Sequence, residues 1–278
     1  MSLRTAIQRA YDAVRDRSTL VKPTRWQSMD VSKQEAATTH EVLNYTLQAQ
    51  VMSEDLDVLR TTVEPNLPWA DDHFLERVGG KPLNPGVEWA HWPWANKADQ
   101  FRHESLPNQE EKGFSHTYME RYWPRYAGLA EKGQDATGDP NAPHYGIRYK
   151  YGDLQSVVDH LYQAPDSRQA YLPIWHPEDT GKLEVRVPCT LGYHFIQRHG
   201  FLHCTYYIRS CDLYRHFRDD VYLTVRLQLW LLDQLRKIDV GPHQGSDWDA
   251  VKPGLFTMHV VSLHCFVNDY SKLFRRKA

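Results

Sequence analysis

Leu3, Ile7, Tyr11 and Val14 recur at three- and four-residue intervals, the spacing that lines one stripe of a helix. The first 17 residues are therefore expected to form an amphipathic helix, with Pro23 ending that region. Leu43, Leu47 and Val51 repeat every fourth position and, with Glu41, predict a second helix over residues 33–59. From residue 64 to residue 143 the periodicity lapses. Pro65-Asn66-Leu67-Pro68-Trp69 and Asn84-Pro85-Gly86 carry turn chemistry. The stretch reads as a loop-rich Trp/Pro insertion at about 64–143 inside a single 1–278 domain, because no repeated apolar pattern there would close its own core.

Regular patterning then returns. A helix is expected near 153–162, a turn at Pro165-Asp166-Ser167-Arg168, and strands over 170–175, 184–197 and 201–208. His199-Gly200 supplies a hairpin turn between the last two strands. Leu223, Leu227, Trp230, Leu231 and Gln234 mark a helix over 221–235, and a final strand follows over 256–267. Helices with a mixed or antiparallel sheet make the fold class α+β.

Composition narrows the function. The 278 residues carry a formal charge of -2 and 41% hydrophobic content, ordinary for a globular enzyme and too acidic for a protein that tracks phosphate backbones. No apolar run approaches the ~18–20 residues needed to span a bilayer. The first residues lack the apolar core of a signal peptide, so a cytoplasmic location is expected, with neither nucleic acid nor membrane as partner. Cys189, Cys204, Cys211 and Cys265 show no CxxC spacing and read as reduced thiols. His194, His199, His203 and Cys204 lie close in sequence but fit no zinc spacing, and they read as strand and turn surface with no metal.

The strongest chemical signal is Val187-Pro188-Cys189-Thr190 followed twenty residues later by Arg209-Ser210-Cys211-Asp212 and then Asp219-Asp220. A thiol is a nucleophile for carbon. An Arg-Ser pair suits a phosphate, and a carboxylate suits the edge of a base. An unperturbed thiol with a pKa near ~8.5 is only about 3% thiolate at pH 7, and an arginine on a neighbouring strand would raise that fraction.

With His40-Glu41, Tyr145-Gly146, Pro165-Asp166-Ser167-Arg168 and Ser262-Leu263-His264, these segments resemble, in order, the blocks of the thymidylate synthase family. The resemblance implies a thymidylate synthase-like fold with helices packed on one side of the sheet. It further implies a homodimer formed sheet to sheet, with shared active sites. Carried onto this chain, it makes Cys189 the nucleophile at pyrimidine C6 and Glu41 the organiser of proton transfers. Arg209 and Ser210 would hold the nucleotide phosphate, with Arg168 lent by the partner subunit. His264, Tyr145, His194 and, in place of an unrecognisable N-terminal phosphate loop, Arg25 are the other candidate nucleotide contacts. Asp212 and Trp123 are the candidate contacts for the cosubstrate, 5,10-methylenetetrahydrofolate.

The position eleven residues after Arg209 is Asp220, where thymidylate synthases carry asparagine, and Phe217-Arg218-Asp219-Asp220 is similar to the phage deoxycytidylate hydroxymethylase branch. A carboxylate accepts from the cytosine 4-amino group and, when protonated, donates to N3; facing uracil O4 it would set acceptor against acceptor. Asp220 also suits the N-cap of a helix starting at Val221, and both roles can coexist. Gln169 replaces an expected arginine, Phe266 an expected tyrosine, and Arg186 stands where an apolar residue would shield the methylene. The chain also stops soon after the last strand, so a short folate-covering segment is expected. The resemblance thus implies hydroxymethylation of deoxycytidylate (dCMP), in phage DNA modification or nucleoside-antibiotic synthesis. The rivals are reductive methylation of dCMP, a thymidylate synthase acting on dUMP, and a non-catalytic nucleotide-binding regulator.

Overall fold

The computed structural model describes residues 1–26, 29–95, 104–105, 112–124, 152–181, 186–238 and 247–274. Six strands form the central sheet: β1 (Thr19–Val21), β2 (Thr39–Gln50), β3 (Tyr171–Pro173), β4 (Thr190–Arg198), β5 (Phe201–Asp212) and β6 (Lys252–Phe266). Their spatial order is β1-β2-β6-β5-β4-β3. All neighbours run antiparallel except β6 and β5, so the sheet is mixed and the expected α+β class holds. His199 and Gly200 both adopt positive φ, at 52° and 77°, and close the β4–β5 hairpin as the sequence predicts. Gly192 on β4 admits β3 alongside, since a Cβ there would meet the Leu172 carbonyl oxygen at 2.7 Å.

Helix α1 (Leu3–Arg17) begins where the Ser2 side chain accepts from the Thr5 N–H, and it buries Leu3, Ala6, Ile7, Ala10, Ala13 and Val14. Helices α2 (Leu56–Val63), α3 (Trp69–Val78), α4 (Tyr118–Tyr122), α5 (Leu154–Gln163), α6 (Phe217–Lys237) and α7 (Val267–Phe274) follow in chain order. The long α6 contributes Val221, Leu227, Leu231 and Leu235 to one contiguous core shared with Leu202, Cys204, Tyr206 and Ile208 of β5. The alternate β5 residues His203, Thr205 and Tyr207 leave that core. With Leu43, Tyr171, Phe201 and Val261 they give the opposite side of the sheet an accessible, partly apolar surface.

The inward side of the strands slips along one line. On β5 burial passes from Ile208 to Cys211, and on β6 from Val260 to Leu263. On β2 the inward positions Leu47 and Ala49 give way beyond Asn44, which has φ 53°. Asn44, Val261 and Arg209 fall at the same level across the three strands. Such irregularities bend a sheet and re-aim side chains beside functional sites. Here the slip sends Cys211 into the core and brings Ser210 to a cavity wall.

Four expectations fail. Residues 33–59 are not a helix: a short 3-10 turn at Glu35–Ala37 leads into strand β2, so Glu41 sits on a strand. The four-residue spacing of Leu43, Leu47 and Val51 is even and therefore suits a strand as well as a helix; in the structure the period of two holds over Tyr45, Leu47 and Ala49 and breaks at Asn44, which leaves Leu43 exposed. The 64–143 segment is more ordered than a loop-rich insertion, since α3 and α4 lie within it, although 96–103, 106–111 and 125–143 fall outside the described residues. Helix α6 starts at Phe217 with His216 at its N-cap, so Asp220 lies inside the first turns and does not cap the helix. In addition, residues 186–189 precede β4 and are not strand, while 182–185 are outside the described residues.

Candidate active site

Between α3, α4, the start of β4 and the N-terminal turn of α6 lies an open cavity of about 220 Å³. Cys189, Ser210, Asp220 and Arg186 line it together, so the thiol, the phosphate-type hydroxyl and the carboxyl reach one space. Trp69, Trp89, Trp92 and Phe114 supply flat apolar walls that suit stacked ring systems, a pterin and a pyrimidine among them. Trp69 stacks on His73 at 4.8 Å and Trp92 on His216 at 5.2 Å.

Cys189 is half-buried where the chain enters β4. Arg209 donates through Nε to the Pro188 carbonyl at 2.9 Å and through Nη2 to the Val187 carbonyl at 3.0 Å, and Nη2 lies 3.9 Å from the Cys189 sulfur. The arginine thus holds the segment carrying the nucleophile. Its charge and that of Arg186 pull the thiol pKa down, but burial outweighs them and Asp220 adds to the rise, so the net shift is upward. The expected thiolate enrichment therefore does not arise from the arginines alone. Removing the negative charge on Asp220 favours the thiolate.

Asp220 is pushed up to about 7, chiefly by burial, with Arg77 and hydrogen bonds from Cys211 and Tyr206 opposing the rise. The Cys211 thiol donates to Asp220 Oδ2 at 3.4 Å. Around neutrality this carboxyl is a donor and an acceptor by turns. Asp219, its neighbour, is committed elsewhere: its two oxygens accept from the Asn66 backbone N–H at 2.8 Å and side-chain amide at 2.7 Å.

Helix α3 presents Trp69, His73 and Arg77 to the cavity at successive four-residue steps, a stripe the sequence reading did not single out. Arg77 Nε donates to His73 Nε2 at 3.0 Å, which leaves Nδ1–H of the histidine to face Glu76 at 3.4 Å. Burial pushes His73 down to about 4, so it stays neutral with both ring nitrogens engaged. The Arg77 guanidinium lies 4.3 Å over the Tyr118 ring. His116 and His216 also line the cavity, each pushed down to about 3, mainly by burial, and are neutral imidazoles at pH 7.

The remaining candidates lie elsewhere. Glu41 does not line the cavity; its Oε1 accepts from the Ser262 hydroxyl, and its register partner on β6 is His264, which is also outside the lining. Asp212 is buried and its Oδ1 accepts from the backbone N–H groups of Tyr214 and Arg215 at 2.9 and 3.1 Å, which shapes the turn before α6. Trp123 is buried and donates from Nε1 to the Arg77 carbonyl at 2.8 Å, supporting α3 from behind. Arg168 is exposed beyond the cavity, its carbonyl 2.8 Å from His194 Nε2. Arg25 is exposed in a two-residue ladder opposite Asp30. Tyr145 lies outside the described residues. Among the described residues no group of three or more His, Cys, Asp or Glu side chains is placed to hold a metal, and no helix is long and apolar enough to cross a membrane.

Comparison with known proteins bears on the same region. Residues 79–218, half of the chain, match the family profile described as thymidylate synthase. A bifunctional dihydrofolate reductase-thymidylate synthase from Glycine max is 32% identical over 80 residues, covering 25% of this chain and 15% of that protein. A putative bifunctional dihydrofolate reductase-thymidylate synthase from Oryza sativa subsp. japonica is 30% identical over 80 residues, covering 25% and 16% respectively. The matched part is thus a small fraction of each relative's length.

Proposed function

The chain belongs to the thymidylate synthase family, and from that premise we propose that it is a folate-dependent one-carbon transferase directed at C5 of a cytosine nucleotide, a dCMP hydroxymethylase. The observation that carries this reading is the meeting of Cys189, Ser210 and Asp220 on one aromatic-walled cavity, with Asp220 titrating near neutrality. A protonated Asp220 donates to N3 of cytosine while its other oxygen accepts from the 4-amino group. Opposite uracil, whose N3 carries hydrogen and whose O4 accepts, the ionised carboxyl is satisfied at N3–H but meets O4 acceptor to acceptor, whereas cytosine's basic N3 can share the pair's single proton with the carboxyl. A buried mismatch of this kind costs about 1–3 kcal/mol.

Cys189 adds to C6, and the electron pair of the C5=C6 bond moves toward C4 and N3, where the Asp220 proton neutralises it. C5 thereby becomes the nucleophile. Trp69, Trp89 and Trp92 would hold methylenetetrahydrofolate, which would supply C5 with a carbon at the oxidation level of formaldehyde and depart as tetrahydrofolate. The C5 proton leaves to water in the cavity, because His116 and His216, pushed down to about 3, are weak bases. Glu41, off the cavity, is assigned no step. Arg186 on the wall keeps the site hydrated, which favours water over hydride as the last addition and gives the hydroxymethyl product. Arg209 anchors the Cys189 segment and, with Ser210, offers a phosphate its donors. Arg168, exposed and away from its own cavity, fits a role in a second copy docked on the free face of the sheet.

The names of the two relatives favour a second reading, thymidylate synthesis from dUMP, with reductive methylation of dCMP between the two. Mass spectrometry of products from dCMP, CMP and dUMP with methylenetetrahydrofolate separates them. The proposal expects dCMP to gain the elements of CH2O; conversion of dUMP alone to its 5-methyl product would overturn it.

A further inference from the structure

Residues 186–189 lie ahead of β4, so strand pairing does not set the path of the chain that carries the nucleophile. Hydrogen bonds to its carbonyls do. The Cys189 carbonyl accepts from the Arg209 backbone N–H at 2.9 Å, and the Pro188 and Val187 carbonyls accept from the Arg209 guanidinium at 2.9 and 3.0 Å. The fourth carbonyl, on Arg186, accepts from Ser115 Oγ at 2.8 Å. Arg209 thus secures the end nearest β4, and a hydroxyl on the segment leading into α4 secures the other. We propose that Ser115 is a positioning residue for Cys189, the upstream half of a clamp that sets where the thiol stands in the cavity.

A single hydroxyl can position a loop only if it is itself held. Phe114, next to Ser115, is gripped by Asn84, which is only 3% exposed. The Phe114 N–H donates to Asn84 Oδ1 at 2.8 Å, while Asn84 Nδ2 donates to the Phe114 carbonyl at 2.8 Å and to Glu120 Oε2 at 3.0 Å. The amide oxygen and both amide hydrogens are engaged, and an aspartate there would turn acceptors toward a carbonyl and a carboxylate. Thr117 adds a second tie to the same turn, donating from Oγ1 to the Leu83 carbonyl at 2.6 Å. The one hydrogen of the Ser115 hydroxyl is committed to Arg186, so His116 Nδ1, 3.3 Å from the same oxygen, is the donor in that contact.

Asn84-Pro85-Gly86 leads directly into the 3-10 turn Val87–His91, which carries Trp89, and the Trp89 and Phe114 rings meet edge to face at 5.4 Å. One anchor therefore supports an aromatic wall of the cavity and, through Ser115, the nucleophile. Ser115, Phe114, Trp89 and Cys189 all line that cavity. The clamp fixes the distance from the sulfur to a ring lying against the wall. Attack on a ring carbon needs the two atoms roughly 3–3.5 Å apart, and a misplacement of about 1 Å costs on the order of 100-fold in rate. With Arg209 acting alone, 187–189 keep their partners but the Arg186 end is released, so a partial loss is expected.

This role rests on the reading of Cys189 as the nucleophile and is independent of which base the site takes. Ser115→Ala removes the hydroxyl and Ser115→Thr restores it. With whichever pyrimidine nucleotide is turned over, Ser115→Ala should lower kcat by about 10-fold and leave the nucleotide Kd within about 2-fold. Ser115→Thr should recover most of the loss. In Asn84→Ala, where the anchor is gone, adding Ser115→Ala should cost about 3-fold or less, because the two changes break one clamp. Alkylation by iodoacetamide of ligand-free protein, with Cys189→Ser as the blank, should quicken by about 3-fold or more in Ser115→Ala, since the half-buried sulfur is no longer held, and return toward the parent rate in Ser115→Thr. Peptide mapping should place that gain at Cys189 and leave the buried Cys204, Cys211 and Cys265 unlabelled. Unchanged kcat or an unchanged alkylation rate in Ser115→Ala, an equal loss in Ser115→Thr, or a gain spread over all four thiols overturns the role. Turnover retained by Cys189→Ser would instead remove the nucleophile reading, and the alkylation rates would still decide whether Ser115 holds the thiol.

Discussion

Replacing Asp220 by asparagine should make the protein more stable above neutrality. The unfolded carboxyl titrates near ~3.9, whereas the folded one titrates at about 7 because burial penalises its charge. Between those values the folded chain holds a proton that the unfolded chain has released. Stability contributed by this group is therefore present at low pH, falls as pH rises toward 7, and levels off above it. The shift spans about 3 pH units, each worth ~1.36 kcal/mol, so ionised Asp220 costs the fold roughly 4 kcal/mol at most. Asparagine carries no such penalty and retains a partner in Cys211, although its amide must find an acceptor of its own. The expected gain is about 2–4 kcal/mol at pH 8 and near zero at pH 4. Urea unfolding of both proteins at several pH values measures the difference directly, and groups common to both cancel. A difference that is flat with pH, or a variant less stable at pH 8, would refute the argument that burial sets this carboxyl.

Cys189→Ser should abolish turnover while nucleotide binding, followed by calorimetry, stays within about 3-fold of the parent, because a hydroxyl is a poor nucleophile without a strong base; appreciable turnover would remove the covalent route. Mixing Arg168→Ala chains with Cys189→Ser chains should restore part of the activity, since the two lesions fall in different composite sites if the sheet faces pair. No recovery after verified subunit exchange, or a monomeric mass in solution, would count against a shared site.

The residues that proved legible in the sequence are those whose chemistry is local. Cys189, Ser210 and Asp220 lie on or beside segments whose order carries the family resemblance, and the cavity unites them. The His199-Gly200 turn declared itself because both positions need positive φ, which glycine and a short polar residue tolerate. Glu41 was misplaced because Leu43, Leu47 and Val51 satisfy helix and strand spacing alike, and tertiary pairing with β6 decides between them. Trp69, His73 and Arg77 were readable as a helical stripe, but the turn residues around them masked it. The slip at Asn44, Val261 and Arg209 exists only once three strands align.

The central claim is that Asp220 makes this a cytosine enzyme. Measuring kcat/KM for dCMP and dUMP in competition, in the parent and in Asp220→Asn, tests it most directly. The parent should prefer dCMP strongly, on the order of 10²–10⁴-fold for a hydrogen-bond-matched site, and the variant should shift at least 10-fold toward dUMP. A parent that prefers dUMP, or a ratio that the substitution leaves unchanged, would contradict it.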